Sequence, residues 1–412
     1  MPDASKLAAR VTALILLPFA AAACSGADTA ATWAGTVSDS AGIQVVHNPA
    51  EGTWGPGEAW GLEEVLSIGE MLGEPEYQFG QIVSVDTDVE GNVYIADIQA
   101  QEVRVFDSEG VYKSTIGGPG AGPGEIGLGL SGVFALPDEV FVADIGNGRI
   151  NRYAYDGEVL GSDLVDLTEG VPIRWDRIGD AVVAQLRVMS TDDETDPTGD
   201  VIVRMGGQGE GRETIGNLPV GRSLQFVNGQ PQVRVFEAEP IWDASADGRI
   251  IMAVNSSLRI EVRDAEGALV RVITRPHEVK EVTERDQRIV LAAQRRQFEQ
   301  LGVPASAVER VIARFQFADT YPAFATLTHG PRGSVWVQRI RSGDELSDEG
   351  DFDPQDLGSD TWDIFDSEGR YLGEVSFPGK YQPIKVIGDR IYGIARDELD
   401  VQSMKVYRVV ME

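Results

Sequence analysis

Two dipeptides in this chain join an aromatic ring to a charge, Arg174-Trp175 and Trp242-Asp243. A guanidinium or carboxylate beside an indole suits a polar ligand such as a glycan or peptide, held by ring stacking and charge-assisted hydrogen bonds. Tryptophans packed between layers of a core would give the same local sequence. A further pair of cations, Arg295-Arg296, falls in a stretch with helical apolar spacing, where it forms either part of a lid or a solvated face. The three histidines, His47, His277 and His329, lie far apart and lack the spacing of a zinc site. Ser/His/Asp catalysis has no local support, because no nucleophile-elbow pattern is present, although triads also assemble from distant residues. The glycine-rich stretch 117–129 lacks the Gly-Lys-Ser/Thr ending that gives a phosphate loop its lysine and magnesium ligand, and is read as a connection. No residue is assigned a catalytic role on these grounds.

The elements that must position these groups repeat. A short turn followed by a β-rich apolar run occurs six times, with strands starting at Val93, Val140, Ala181, Ile250, Val335 and Ile391. A second turn class follows, as Phe106-Asp107-Ser108-Glu109-Gly110, Asp264-Ala265-Glu266-Gly267 and Phe365-Asp366-Ser367-Glu368-Gly369, where Asp opens and Gly closes a type I turn with a bulge. The unit is a four-stranded meander of the length of a propeller blade. Three spacings are stretched by insertions: residues 191–200 and 206–211, a helical hairpin within 276–318, and the acidic loop 344–360. Thr283 opens the first helix, Ile289, Leu291, Ala292, Phe298 and Leu301 are its apolar residues, and Gly302 stops it; a second helix is expected over 305–315. After Ile391 too little chain remains for a complete sixth blade. Residues 64–69 supply the missing outer strand and close the ring, which removes an exposed edge. The fold expected is all-β: a six-bladed propeller over 62–412, closed by an N-terminal strand, with the helical insertion between blades four and five.

Residues 1–23 carry Lys6 and Arg10, then an apolar run, then small residues, which is the arrangement of a secretory signal. The run is shorter than the roughly 20 residues a membrane-spanning helix needs. The only cysteine, Cys24, follows Ala21-Ala22-Ala23 and has neither a disulfide partner nor metal-ligand neighbours. This site resembles the lipobox of bacterial lipoproteins, and that resemblance implies lipidation of Cys24. With Ser25 next, it also implies sorting to the outer membrane, facing periplasm or exterior. Residues 24–61 then form a tether with a possible small hairpin at 36–48. The net charge of −31 repels phosphate backbones, so nucleic acid is excluded as a partner.

Gly91-Asn92-Val93-Tyr94-Ile95-Ala96-Asp97, Val103-Arg104-Val105-Phe106-Asp107 and Gly120-Ala121-Gly122-Pro123-Gly124-Glu125 resemble the six-bladed propellers related to the NHL repeat, in particular their lipoprotein members. The resemblance covers about residues 62–412 and is strongest in the first two blades. It implies a fold rather than an activity. Related amidating lyases build a pore zinc site from histidines, and nothing here matches that spacing. Gluconolactonase-like propellers hold calcium at the pore with oxygen ligands, to which Asp86 and Asp243, on inner strands, would contribute. No cofactor is expected, with calcium the exception to test. The reading that follows is an envelope-anchored binding module for a ligand or partner protein; the alternative is a pore-centred hydrolase or lyase acting on a sugar, a lactone or a related small molecule.

Overall fold

The structure is a computed structural model and describes residues 33–187, 200–205, 213–218, 224–227, 230–245, 247–300, 302–346 and 357–411. The signal segment, Cys24, and most of the loops 191–200, 206–211 and 344–360 lie outside the described residues. Six four-stranded antiparallel blades surround a central axis. Their innermost strands are Ile82–Thr87, Leu130–Ala135, Val171–Ile178, Pro240–Ala244, Thr326–His329 and Lys380–Ile387. The meander follows from local chemistry. Asp107 caps its turn by accepting from the backbone N–H groups of Glu109 and Val111 at 2.9 Å, and Gly110 takes φ +85°. Asp366 does the same for Glu368 and Arg370, with Gly369 at φ +81°. A side chain at either glycine would be strained.

Apolar clusters lie in every gap between blades. Tyr94, Val105, Val133 and Val142 join the first two; Phe134, Ile150 and Val182 join the second and third. Val183, Trp242 and Met252 join the third and fourth, and Ile251, Ile260, Val337 and Phe365 the fourth and fifth. Trp336, Trp362, Tyr381 and Tyr407 join the fifth and sixth. The last joint, between blades six and one, is filled by Ile68, Ile95, Tyr392 and Val406. Ile68 belongs to the N-terminal strand Gly61–Ile68, which pairs antiparallel with the C-terminal strand Gln402–Val410 and completes blade six. Fully burying a side chain such as Ile68 contributes about 1.5–3 kcal/mol.

The N-terminal segment is more than a linker to that strand. Thr36–Ser40 and Ile43–His47 form a hairpin whose second strand adds in parallel to Leu269–Thr274, the outer strand of blade four. Asn48 then enters blade five. Its amide donates to the Gly369 carbonyl at 2.8 Å, and its side-chain oxygen accepts from Tyr371 N–H at 2.7 Å and from the Trp33 indole at 2.9 Å. Trp54 and Trp60 pack on the joint between blades five and six before the chain enters the closing strand. Residues 33–68 are thus a belt over the outer edges of three consecutive blades.

In a four-stranded antiparallel blade, the outer strand ends on the face where the next inner strand begins. That entry face carries the long connections from blade three to four and from four to five. On it, α1 (Glu284–Gln300) and α2 (Ala305–Ile312) form the helical hairpin. Thr283 and Asp286 cap α1 reciprocally, side chain to backbone, at 3.3 and 2.9 Å, and Gly302 ends the hairpin's first arm at φ +73°. The buried face of α1 is Ile289, Val290 and Ala293, packed on Phe236 and Tyr321, and Leu291 and Ala292 are only half-buried. The second helix stops short of residue 315. Phe315–Phe317 is instead a strand, paired in parallel with Gln230–Val235 of a hairpin that the sequence reading did not anticipate. This small sheet ties the two insertions into one cap.

The belt predicts that Asn48→Ala leaves the Tyr371 N–H buried without a partner and costs about 2–3 kcal/mol in urea unfolding. Ser38→Ala, on the exposed hairpin, should change stability by less than about 0.5 kcal/mol.

Candidate functional site

The inner strands carry carboxylates that fasten one blade to the next. Asp86, in blade one, accepts from the backbone N–H of Ala135 in blade two at 3.0 Å. Asp176, in blade three, accepts from Ala244 N–H in blade four at 3.1 Å. Asp243, in blade four, accepts from His329 N–H in blade five at 2.7 Å. In each case a pore-facing charge replaces a missing ladder partner between two edge strands. Cations answer these charges. Asp86 is fully enclosed between Lys385, at 2.5 Å, and Arg177, at 3.2 Å, and Asp243 is held by Arg174 at 3.1 Å. A buried charge without such partners is strongly destabilising.

Asp243 also meets the imidazole of His329, whose Nδ1 lies 3.1 Å from its Oδ2. Burial alone would raise the Asp243 carboxyl, but the hydrogen bonds from His329 and the charge of Arg174 hold it below the usual carboxylate range. An ionised acceptor there places the ring proton on Nδ1. Asp176 behaves oppositely. It keeps some surface on the pore, yet protein surrounds it. Enclosure first, then the charge of Asp243, push it up to about 6, against the pull of Arg174 and Lys385.

Two cavities open from the pore. The one on the entry face is about 540 Å³ and is lined by Ser84, Ser131, Arg174, Trp175, Gln338, Trp362 and Gln382. This falls within the size range of small-molecule sites. Trp175 and Trp362 belong to its wall, while their indole Nε1 atoms are buried, out of contact with a molecule in the cavity, and have no hydrogen-bond partner among the described residues. Leu357 borders this cavity and also packs against the cap. The second cavity, about 280 Å³, lies at the opposite, tight-turn face, among Asp176, Arg177, Asp243, Asp247, Arg249, His329 and Lys385.

The candidate residues divide. Arg174 and Trp175 line the entry-face cavity, and Asp243 borders both cavities. Trp242 has no exposed surface. Its indole donates to Gln185 at 2.8 Å in the joint between blades three and four, while Arg174 lies over its ring at 5.1 Å. Arg295 is engaged on the cap surface by Glu309 of α2 at 2.9 Å, and Arg296 is half-buried beside it on α1. Asp86 and Asp243 do not converge with a third ligand. No group of three or more His, Cys, Asp or Glu among the described residues is placed to hold a metal ion. A calcium ion at Asp86 would have to displace Lys385 and Arg177. The glycine-rich stretch 117–129 is a connection whose carbonyls, at Ala121, Gly122 and Glu125, are gripped by Arg149. Sequence reasoning missed His329. Its only local signal was its place near the end of a short inner strand, and Asp243 is 86 positions away.

The fold and pore define the class as a six-bladed β-propeller. No protein-family model matches the chain, and no curated protein matches it. Among solved structures, a member of the DUF4221 family from Bacteroides vulgatus is similar with a TM-score of 0.56 at 11% identity, over 86% of this chain and 99% of that one. A protein from Bacteroides fragilis described as exported gives 0.51 at 11% identity, over 89% and 99%. A virginiamycin B lyase from Staphylococcus aureus overlaps more loosely, at 0.42 and 9% identity over 85% and 100%, and carries no argument. At these identities the likeness establishes the fold alone.

Asp176 gives a pH prediction. Its folded-state value, about 6, lies above its ordinary 3.8, so the folded protein binds the proton more tightly. The stability this contributes is present below pH 4 and is lost as pH rises through 6. The stability of Asp176→Asn relative to wild type, from urea unfolding, should therefore shift in the variant's favour between pH 4 and 7. A flat difference would refute the assignment.

Proposed function

We propose that the protein is an envelope-anchored binding module whose ligand enters from the cap side and is held in the entry-face cavity. The observation that carries this reading is the entry-face cavity itself, whose wall presents Arg174, Gln338 and Gln382 beside Trp175 and Trp362. A ligand rich in polar oxygens, such as a glycan or a peptide, suits such a wall through ring stacking and charge-assisted hydrogen bonds. The cap supports the same reading, since long connections gather on one face while the other is built from tight turns. The pore carboxylates are neutralised by arginine and lysine, so binding is expected to proceed without calcium.

Location belongs to the same proposal. The leader and Cys24 fit export and lipid anchoring, and one structural neighbour is described as exported. No helix among the described residues is long and apolar enough to cross a membrane. Lipid attachment would then tie the belt end of the propeller to the bilayer, with the outer membrane as the expected address. The alternative, a hydrolase or lyase at the pore, has one observation in its favour, the Asp243–His329 pair. Turnover of a lactone or sugar substrate by the purified protein would favour it.

Two experiments follow. Cys24→Ser should move the protein from the membrane fraction to the soluble fraction of cells; unchanged membrane retention counts against the anchor. Calorimetric screening of oligosaccharides and peptides should find a ligand whose affinity falls about tenfold in Arg174→Gln or Gln382→Ala, each of which removes a polar group from the cavity wall. Binding unchanged in both variants, or absent at millimolar concentration, contradicts the reading.

A further inference from the structure

The N-terminal hairpin leaves a sheet edge open. Ile43–His47 lies between Thr36–Ser40 and Leu269–Thr274, so the far side of Thr36–Ser40 has no strand beside it among the described residues. All five of its residues are exposed. Two observations fix which backbone groups face outward. The turn is Ala41-Gly42, at φ 56° and 85°, and a two-residue turn of this kind closes on a hydrogen-bonded pair, here Ser40 with Ile43. Beyond the second strand, Asn48 N–H donates to the Thr274 carbonyl at 2.9 Å, so Gln44, Val46 and Asn48 point to blade four while Ile43, Val45 and His47 point back into the hairpin. Their partners Ser40, Ser38 and Thr36 are therefore spent inside the hairpin, and the N–H and C=O groups of Val37 and Asp39 face outward. The edge also lacks the usual protection against strand addition, which is a bulge, a lysine or a proline. The outer strand of every blade is bulged against its neighbour, whereas this hairpin pairs over five residues without a break.

We propose that this edge joins a second copy of the chain, strand to strand, antiparallel and centred on Ser38. Val37 then exchanges both backbone hydrogen bonds with Asp39 of the second copy, and Asp39 does the same with the second copy's Val37. The register is self-complementary. Asp39, the one charged side chain of the strand, sits opposite valine rather than opposite itself, Thr36 sits opposite Ser40, and Ser38 meets Ser38. The chain outside the described residues favours the same occupant. Thr36 lies twelve residues beyond Cys24, a reach of about 40 Å at most, so copies anchored in one bilayer present this edge within the same shallow layer. That confinement rests on the proposed anchor, and it offsets the small size of the seam and the like charge of the two chains.

The test uses the full-length chain in its native membrane, carrying Ser38→Cys, with the wild type, whose only cysteine is Cys24, as background. The two Cα atoms of a non-hydrogen-bonded antiparallel pair lie about 4.5 Å apart, within reach of a disulfide. Mild oxidation should link at least half of the protein as a dimer on a non-reducing gel, at least fivefold more than Ser108→Cys, placed in an exposed turn of blade one. Adding Val37→Pro removes an outward N–H but no bond inside the hairpin, and should lower the Ser38→Cys dimer at least fivefold with the urea midpoint unchanged. A dimer yield no greater than that of Ser108→Cys, an unchanged yield in the proline variant, or a link to a protein of another mass overturns the proposal. Location is read separately: recovery in the soluble fraction counts against the anchor, and the cross-link measured there still tests the edge.

Discussion

A propeller is a ring, and its weakest joint sets whether the ring holds. Five of the six joints are made between blades that follow one another along the chain, but the joint between blades six and one needs residues from both ends. The pairing of Gly61–Ile68 with Gln402–Val410 supplies it. Everything in the pore depends on that closure, because the inner strands face one another only when the circle is complete. The belt reinforces the same constraint from outside. It adds a strand to blade four, threads Asn48 into blade five and places Trp54 and Trp60 against blade six. Edge strands that would otherwise present unpaired backbone to solvent are covered.

Inside the ring, the inner strands of neighbouring blades have no ladder between them, and carboxylates take over. Asp86, Asp176 and Asp243 each reach to a backbone N–H on the next blade. The charges this brings into the pore are balanced locally by Lys385, Arg177 and Arg174, and Asp243 also accepts from His329. One set of residues therefore supports the fold and shapes the electrostatics of both cavities. Asp243 is the clearest case. It fastens blades four and five, orients His329 and borders both cavities.

Much of the architecture could be read from sequence because propeller blades are local. Asp-Gly turns, β-rich runs and the Thr283 and Gly302 limits of α1 each depend on a few neighbouring residues. Closure could be inferred because the C-terminal blade was one strand short. What could not be read was contact across long separations: the parallel pairing of Phe315–Phe317 with Gln230–Val235, the docking of Ile43–His47 on blade four, and the meeting of Asp243 with His329. The site was legible in part for the same reason. Arg174-Trp175 stands out in the sequence and lines a cavity, whereas Trp242 stands out equally and is core, since nothing local tells which side of an inner strand faces the axis. Trp362 carried no sequence signal at all, because its place in the cavity wall is defined only by what surrounds it.

The entry-face cavity is proposed to hold a polar ligand. The most direct measurement is a high-resolution crystal structure of the protein purified from its native envelope. Non-protein density is expected in that cavity, with polar atoms within hydrogen-bonding distance of Arg174, Gln338 or Gln382. A cavity without such density, or one collapsed onto its own side chains, would contradict it.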